Sequence, residues 1–327
     1  MAEEEAGQGG ESKLTVVLAL AVNLAIAIMK AVAGVITGSA AILSEAAHSV
    51  ADTFTEALLL TALRRSDRPA DRKHPFGYGK ERYFWSLLAA VSIFASGAMF
   101  AFYEGFRTVF GEAEEQTRPL VGYIVLGLAF AMESVSWAQA VRQVRRESKE
   151  QRRSIVEYLR LSDDPTVKTV FLEDSAALIG LTIAFAGVGL HQLTGSSVWD
   201  GVASLMIGVL LVAVAYSLAR TNRDLLIGRQ ADPVMVRAIG ARLREAPEVD
   251  AVVDLLSMLT GTDHVLLCAR LDFDDSLGAA DLERACVRID GELRAEFPDL
   301  DEIFLEPVPR NDPAMRERVL SRYGFNL

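Results

Sequence analysis

Cysteine is scarce in this chain. Cys268 and Cys286 are the only two among 327 residues and form no CxxC pair, which excludes a disulfide-stapled fold. They are read as reduced side chains packed as small hydrophobes. Met1–Lys13 is acidic and Gly-rich and lacks the basic n-region of a secretory signal; it reads as a short disordered tail. Catalytic signatures are missing as well: there is no HExxH, no GxSxG, no Walker loop and no dinucleotide fingerprint. No short-period repeat or low-complexity tract is present. An excess of positive charge is also missing, since the formal net charge is −11. That excludes nucleic acid as the obvious partner.

What the chain does have is apolar surface. Hydrophobic residues make up 51% while 24% are charged, and the mean hydropathy is +0.24. Both facts fit if the apolar residues are gathered into membrane spans and the charges lie elsewhere. The charge is uneven. Residues 1–230 hold 22 Lys+Arg against 24 Asp+Glu, and residues 231–327 hold 11 against 20. The acidic C-terminal part suits either a cation or ordinary solubilisation.

A membrane helix needs about 20 mostly apolar residues. Six candidates follow in order: Leu14–Ile36, Ala40–Leu63, Tyr83–Val109, Leu120–Val141, Val167–Leu190 and Asp200–Leu218. The second and fifth carry several polar groups and are expected to score poorly on hydropathy alone. The linkers after spans two and four are rich in Lys and Arg, whereas the one-two turn and the five-six loop have none. By the positive-inside rule the basic linkers face the cytoplasm, so both termini are expected there. After Arg229 the pattern changes to α-β-β-α-β: a helix from Val234 to Ala246, strands Val249–Leu259 and His264–Phe273 about a Thr-Gly-Thr-Asp turn, a helix Ala279–Phe297 and a strand Ile303–Val308. The expected organisation is therefore a tail (1–13), a six-helix transmembrane domain (14–229), a cytoplasmic α+β domain (230–310) and a C-terminal tail (311–327).

Span two carries the chemistry. His48 and Asp52 are four apart and share one helix face, and Glu45 and Glu56 extend the same stripe. Each ionisable group within a bilayer costs about 2.5–3.5 kcal/mol on insertion scales. Four on one stripe therefore face a polar interior or a water path. Imidazole nitrogen and carboxylate oxygen are also usual ligands for zinc and related divalent ions. The plainer alternative is hydrogen bonding within a bundle. Span five offers Glu173 and Asp174, whose directions differ by about 100°, so both are not expected to face one point. Asp174 precedes Ser175, Ala176 and Ala177, small residues that let helices approach. For Glu173 a structural role or a place at the vestibule stays as open as ligation. Glu133 is expected either to line an entry path or, the preferred reading, to pair with Lys30; Asn23 is expected to bond between helices, and Asp200 to serve as an N-terminal cap. In the linker, Asp71 and His74 form at most a weak metal site; a turn that sets the angle of span three is the better account.

Taken together, HSVAD (His48 to Asp52), HPFGYGKER (His74 to Arg82), EDSAALIG (Glu173 to Gly180), WDGVASLMIG (Trp199 to Gly208) and the α-β-β-α-β tail resemble the cation diffusion facilitator family. LSEAAHSVAD and FLEDSAALIG resemble the branch typified by animal zinc transporter nine. The resemblance implies a homodimer, a ferredoxin-like cytoplasmic domain, and one transport site per subunit between spans two and five. His48 and Asp52 match the family's span-two pair, and Asp174 matches one member of the span-five pair. The other member falls at Val170, so the fourth ligand is left to Glu173, Glu45 or water. A second linker histidine of the family falls at Tyr78, and the tail has only His264, next to Asp263. The implied activity is export of a divalent cation in exchange for protons by alternating access, at the plasma (inner) membrane. Zinc leads, with iron, cobalt or manganese open, and no resident cofactor is expected. Two rivals are a non-transporting scaffold that holds a partner, and an intramembrane metalloenzyme, for which no motif is found.

Overall fold

A computed structural model describes residues 23–111 and 118–323. The expected N-terminal tail and the first part of span one lie outside these residues. The chain divides into two units: Met1–Arg64 with Arg82–Arg223, and Arg65–Glu81 with Asp224–Leu327.

The first unit is helical. The described part of α1 is Asn23–Thr37. It ends where Gly38 adopts φ 70°, a left-handed conformation that glycine takes without a Cβ clash. Helix α2 (Ala40–Ser66) follows after Gly38 and Ser39. Helix α3 runs Glu81–Phe110 and contains a π-helical turn at Ile93–Ala98. Helix α4 (Pro119–Glu150) starts on a proline whose missing N–H would be unpaired there anyway. A short helix α5 (Ile155–Leu161) is capped by Ser154, which accepts from the Glu157 N–H. Helix α6 (Pro165–Thr194) is capped by Asp164, which accepts from the Thr166 N–H at 2.8 Å. Helix α7 spans Val198–Ile227.

Four of these, α3, α4, α6 and α7, are long and apolar enough to cross a membrane. The fifth expected span corrects the sequence reading, because α6 reaches a window hydropathy of 1.7. Its apolar run from Ala176 to Gly189 outweighs Glu173 and Asp174. Helix α2 falls short as expected, since its ionisable stripe exceeds what such a window tolerates. Helix α4 runs nine residues beyond the expected Val141, carrying the basic stretch from Arg142 to Lys149. The interior is built largely of alanines, such as Ala41, Ala98, Ala129, Ala176 and Ala203, interleaved with Leu126, Ile207 and Leu211. Small residues permit close helix approach. Large apolar side chains such as Phe54, Val135, Met206 and Tyr216 point outward, as a lipid-facing surface requires.

The second unit holds α8 (Pro233–Arg244), β1 (Val249–Gly261), β2 (His264–Phe273), α9 (Ala279–Glu296), β3 (Leu300–Pro307) and α10 (Pro313–Tyr323). The sheet order is β1-β2-β3, with β1 and β2 antiparallel and β2 and β3 parallel. The parallel pair requires a crossover, which α9 supplies. Strand β2 buries Val265, Leu267, Ala269, Leu271 and Phe273, the period-two pattern of a half-buried strand. They share this core with Ile239 and Leu243 of α8 and Ala285, Ile289 and Leu293 of α9.

Two boundaries differ from expectation. The linker 65–81 groups with this unit rather than with the helices. Gly79 lies against Thr260 and Gly261, where a Cβ would stand 2.6 Å from the Thr260 carbonyl oxygen. The C-terminal tail is also not featureless. Asp312 accepts from the Met315 N–H and starts α10, whose Met315 and Val319 are buried. Both cysteines are free, as read from the sequence.

Candidate metal-cation site

Helix α2 is positioned by a charge from α7. Asp200 accepts from the Ser39 hydroxyl at 2.7 Å and from the Ala40 N–H. It therefore caps the start of α2, not of its own helix. Ser44 meets Ser204 at 2.6 Å, and Ser204 donates to the Ala101 carbonyl. The π-helical turn of α3 sets Gly97 beside His48 and Ala51. These contacts fix the rotation of α2 and turn its ionisable stripe inward.

On that stripe, Glu45 and His48 are buried, and His48 Nδ1 lies 3.2 Å from Asp52 Oδ1. Neither ring nitrogen of His48 has a hydrogen-bond partner among the described residues, nor does Asp52 Oδ1. Asn23 of α1 donates to Glu56, which is the inter-helix bond expected of it. Lys30 lies 3.3 Å from Glu45 and 3.7 Å from Glu133, so Glu133 pairs as expected. Glu133 also borders the cavity described next.

That cavity, of about 70 Å³, lies among α1, α2, α4 and α6. Five carboxylates border it: Asp52, Glu56, Glu133, Glu173 and Asp174, together with Asn23, Ser49, Ser136 and Val170. Glu173 and Asp174 both reach it, because Val170, Glu173 and Asp174 sit at helical spacings of three and four. Asp174 accepts from the Ser136 hydroxyl at 2.8 Å. Glu173 is buried, and its Oε1 has no hydrogen-bond partner among the described residues. Helix α6 closes on α2 at Gly180, where a Cβ would lie 2.1 Å from Glu45 Oε1. His48 stands behind Asp52, outside the cavity lining. Val170, where the family resemblance leads us to expect a fourth ligand, also borders the cavity. Glu133 thus takes both roles open to it in the sequence, pairing with Lys30 and bordering the cavity, whereas sequence reasoning gave Ser136 no part; its signal is its place one turn after Glu133 on α4.

No three His, Cys, Asp or Glu among the described residues converge closely enough to hold a metal ion as they stand. What the arrangement offers instead is concentrated negative charge with unspent acceptors. Like charges about 4 Å apart repel by roughly 4 kcal/mol at an effective dielectric of 20. Such a cluster therefore takes up protons or a cation.

The linker is built differently. Asp71 accepts from the N–H groups of Lys73 and His74 at 2.8 and 2.7 Å and from the Tyr78 hydroxyl at 2.8 Å. These bonds hold its carboxyl below the usual carboxylate range, the Tyr78 hydroxyl first among them. His74 Nδ1 lies 3.6 Å from Asp71, and the His74 ring packs on Tyr78 with centroids 4.3 Å apart. A larger cavity of about 370 Å³ lies between this linker and the β1–β2 hairpin. There His264 Nδ1 meets Asp301 at 2.6 Å, but its carboxylates Asp67, Asp301 and Glu302 are exposed. Water satisfies such groups, so size alone does not make this cavity the better cation site.

The family model described as the cation efflux transmembrane domain matches residues 16–227. The chain is 36% identical over 261 residues to the mitochondrial proton-coupled zinc antiporter of Xenopus laevis, covering 79% of this chain and 46% of that protein. It is 31% identical over 314 residues to the Homo sapiens protein of the same name, covering 95% and 53%. It is 31% identical over 288 residues to a metal tolerance protein of Arabidopsis thaliana, covering 88% and 61%. The chain spans about half the length of the animal relatives it matches. Those relatives carry "mitochondrial" in their names, so they lend no support to the plasma-membrane expectation.

Proposed function

Because this chain belongs to the cation efflux family, with zinc transporter nine-like proteins among its relatives, we propose that it moves a divalent metal cation across a membrane in exchange for protons. It works as a transporter and not as an enzyme. The observation that carries this reading is the ring of five carboxylates about one small cavity inside a bundle of apolar helices, with acceptor atoms of Asp52 and Glu173 left open.

His48, Asp52 and Asp174 are the proposed ligands. Glu173 completes the set in place of Val170, since it is one turn along the same helix and reaches the same cavity. Glu45 and Glu56 flank the path. Zinc is the proposed cargo, because one imidazole among carboxylates suits a borderline ion. Binding requires neutral His48 and ionised carboxylates, so metal entry releases protons and proton entry releases metal. A rocking of helices that exposes the cavity to each side in turn would make this an antiport cycle.

The reading extends to the architecture. Helices α1 and α2 join the four apolar helices as six spans, with both termini on the cytoplasmic side by the Lys/Arg bias of the linkers. The second unit, with its α-β-β-α-β order and mixed sheet, is ferredoxin-like, and the working state is a homodimer. Asp71 and His74 are at most an accessory site, because the Asp71 oxygens are already engaged in the turn.

The test is metal-dependent proton flux in proteoliposomes, scanned over zinc, iron, cobalt and manganese, with Asp52→Ala as the blank. Flux with zinc that disappears in the blank is expected. Equal flux in both proteins would sink the assignment.

A further inference from the structure

We propose that Lys30 determines the ion specificity of this site: its ammonium is a tethered cation that withholds Glu45 and Glu133 from the travelling ion. The inference rests on the cation-transport reading above and assigns a role that the ligand set alone does not contain.

Lys30 is fully buried in α1. Its Nζ donates to Ser49 Oγ at 2.8 Å and to Glu45 Oε2 at 3.3 Å, and lies 3.7 Å from Glu133 Oε1. One charge thus joins α1, α2 and α4. A buried ammonium is expensive, and a well-packed apolar side chain of similar volume commonly holds a bundle together as well or better. Lys30 is therefore best explained by what its charge does.

Its place shows what that is. Ser49 and Glu133, two of its three partners, border the cavity, and Glu45 lies one turn before Ser49 on the same helix. The ammonium stands behind the cavity wall and engages one oxygen of each of two carboxylates. The other oxygen of Glu45 is buried against Gly180. With Glu45 and Glu133 held in this way, the carboxylates left to the ion at the cavity are Asp52, Glu56, Glu173 and Asp174, and His48, 3.2 Å from Asp52, is the nitrogen donor of the proposed mixed set. Such a set suits zinc. Release of both carboxylates would add hard oxygen donors and negative charge, which favours manganese and similar ions over zinc.

The test is equilibrium binding of zinc and of manganese to the purified full chain in lipid nanodiscs, by calorimetry. In Lys30→Met the zinc-to-manganese affinity ratio is expected to fall by about tenfold or more, because manganese gains the released oxygens. Adding Glu45→Gln to that variant should restore part of the ratio. A purely structural role would weaken both metals together and leave the ratio where it was. A folded Lys30→Met protein whose ratio stays within about twofold of the parent overturns the inference and leaves the transport reading standing. If the parent chain binds neither metal, the transport reading falls and takes the inference with it. Should Lys30→Met fail to fold, the Lys30→Gln/Glu45→Gln variant carries the test, since it removes both charges of the pair. There the freed Glu133 should lower the ratio by about threefold, and an unchanged ratio overturns the proposal.

Discussion

The two units of this chain handle acid in opposite ways. The second unit is richer in it for its length, and its part from 231 to 327 alone holds 20 Asp+Glu against 11 Lys+Arg, yet its acids are largely answered. Arg242 reaches Glu292 at 2.7 Å and Glu296 at 3.3 Å. Arg288 pairs with Glu248 and Glu292. The buried Asp254 accepts on Oδ2 from Arg270 at 2.9 Å and Arg322 at 2.8 Å, and only its Oδ1 is left open. In the first unit five carboxylates border one cavity, Lys30 reaches only Glu133 among them, at 3.7 Å, and buried oxygens are left open. Buried polar atoms normally find partners, and the open oxygens of Asp52, Glu56 and Glu173 gather about one cavity, which is the place the proposed cation would occupy. The net charge of a region does not locate its chemistry; open acceptors gathered about one cavity do.

The sharpest way to break this contrast is to neutralise one acid in each unit. Asp52→Asn should lower metal-dependent flux by about 100-fold or more, since loss of one metal ligand is at least as damaging as loss of a supporting contact. Its melting temperature should not fall, because a buried charge without a full complement of partners is being removed. Asp254→Ala should do the reverse. Removing one side of a buried pair is strongly destabilising, and with Arg270 and Arg322 partly solvated a loss of about 2–3 kcal/mol is expected. Thermal unfolding of the full chain reads the first quantity, and flux per folded molecule, expected to be retained, reads the second. A destabilised Asp52→Asn with normal flux would erase the distinction between the units.

A smaller effect is expected at the helix contact behind the cavity. Gly180→Ala places a Cβ against Glu45 Oε1, where a gap of 2.1 Å leaves no room. The displaced carboxylate and helix should cost about 1–3 kcal/mol and lower flux with it. Gly127→Ala is the control, because nothing lies within 4 Å of the added atom. There, relief of the helical glycine should stabilise by up to about 1 kcal/mol. Equal melting shifts in the two variants would mean that α2 and α6 are not closed against each other as described.

The helices, the hairpin and the inward stripe of α2 were legible because each is a local pattern: apolar runs, Thr-Gly-Thr-Asp between two strands, His48 four residues before Asp52. What was illegible depends on distant partners. Nothing near Asp200 says that it caps α2, 160 residues earlier in the chain. Glu173 and Asp174 point about 100° apart, so that both reach the cavity depends on its width between three other helices. Lys30 was visible as one partner for Glu133, but its hold on Glu45 and Ser49 requires α1 and α2 to be packed side by side. Helix α10 was missed because its residues are mostly polar; Met315 and Val319, buried by tertiary contact, and the bond from Arg322 to Asp254 tie it down. The linker grouped with the second unit for a similar reason, through an approach of Gly79 to Thr260 that no periodicity announces.

The smallest predicted effect separates the linker from the cavity. Asp71 is exposed yet held below the usual carboxylate range, chiefly by the Tyr78 hydroxyl. A depressed carboxyl contributes to order above its unfolded value, near pH 3.9, and that contribution is lost as pH falls through the folded value. The linker turn should therefore be intact at neutral pH and loosen only in acid. Tyr78→Phe removes the first of its donors and should move the Asp71 titration upward, read from its carboxyl carbon shift by NMR. The same bond pushes the Tyr78 hydroxyl up, so that group should stay protonated well into alkaline solution. Because the Asp71 oxygens are engaged by the turn, zinc at neutral pH should leave this titration where it is. A zinc-dependent shift at Asp71 of the size seen on Tyr78→Phe would instead make the linker a cation site in its own right, and the contrast between answered and unanswered acids would have to be redrawn around it.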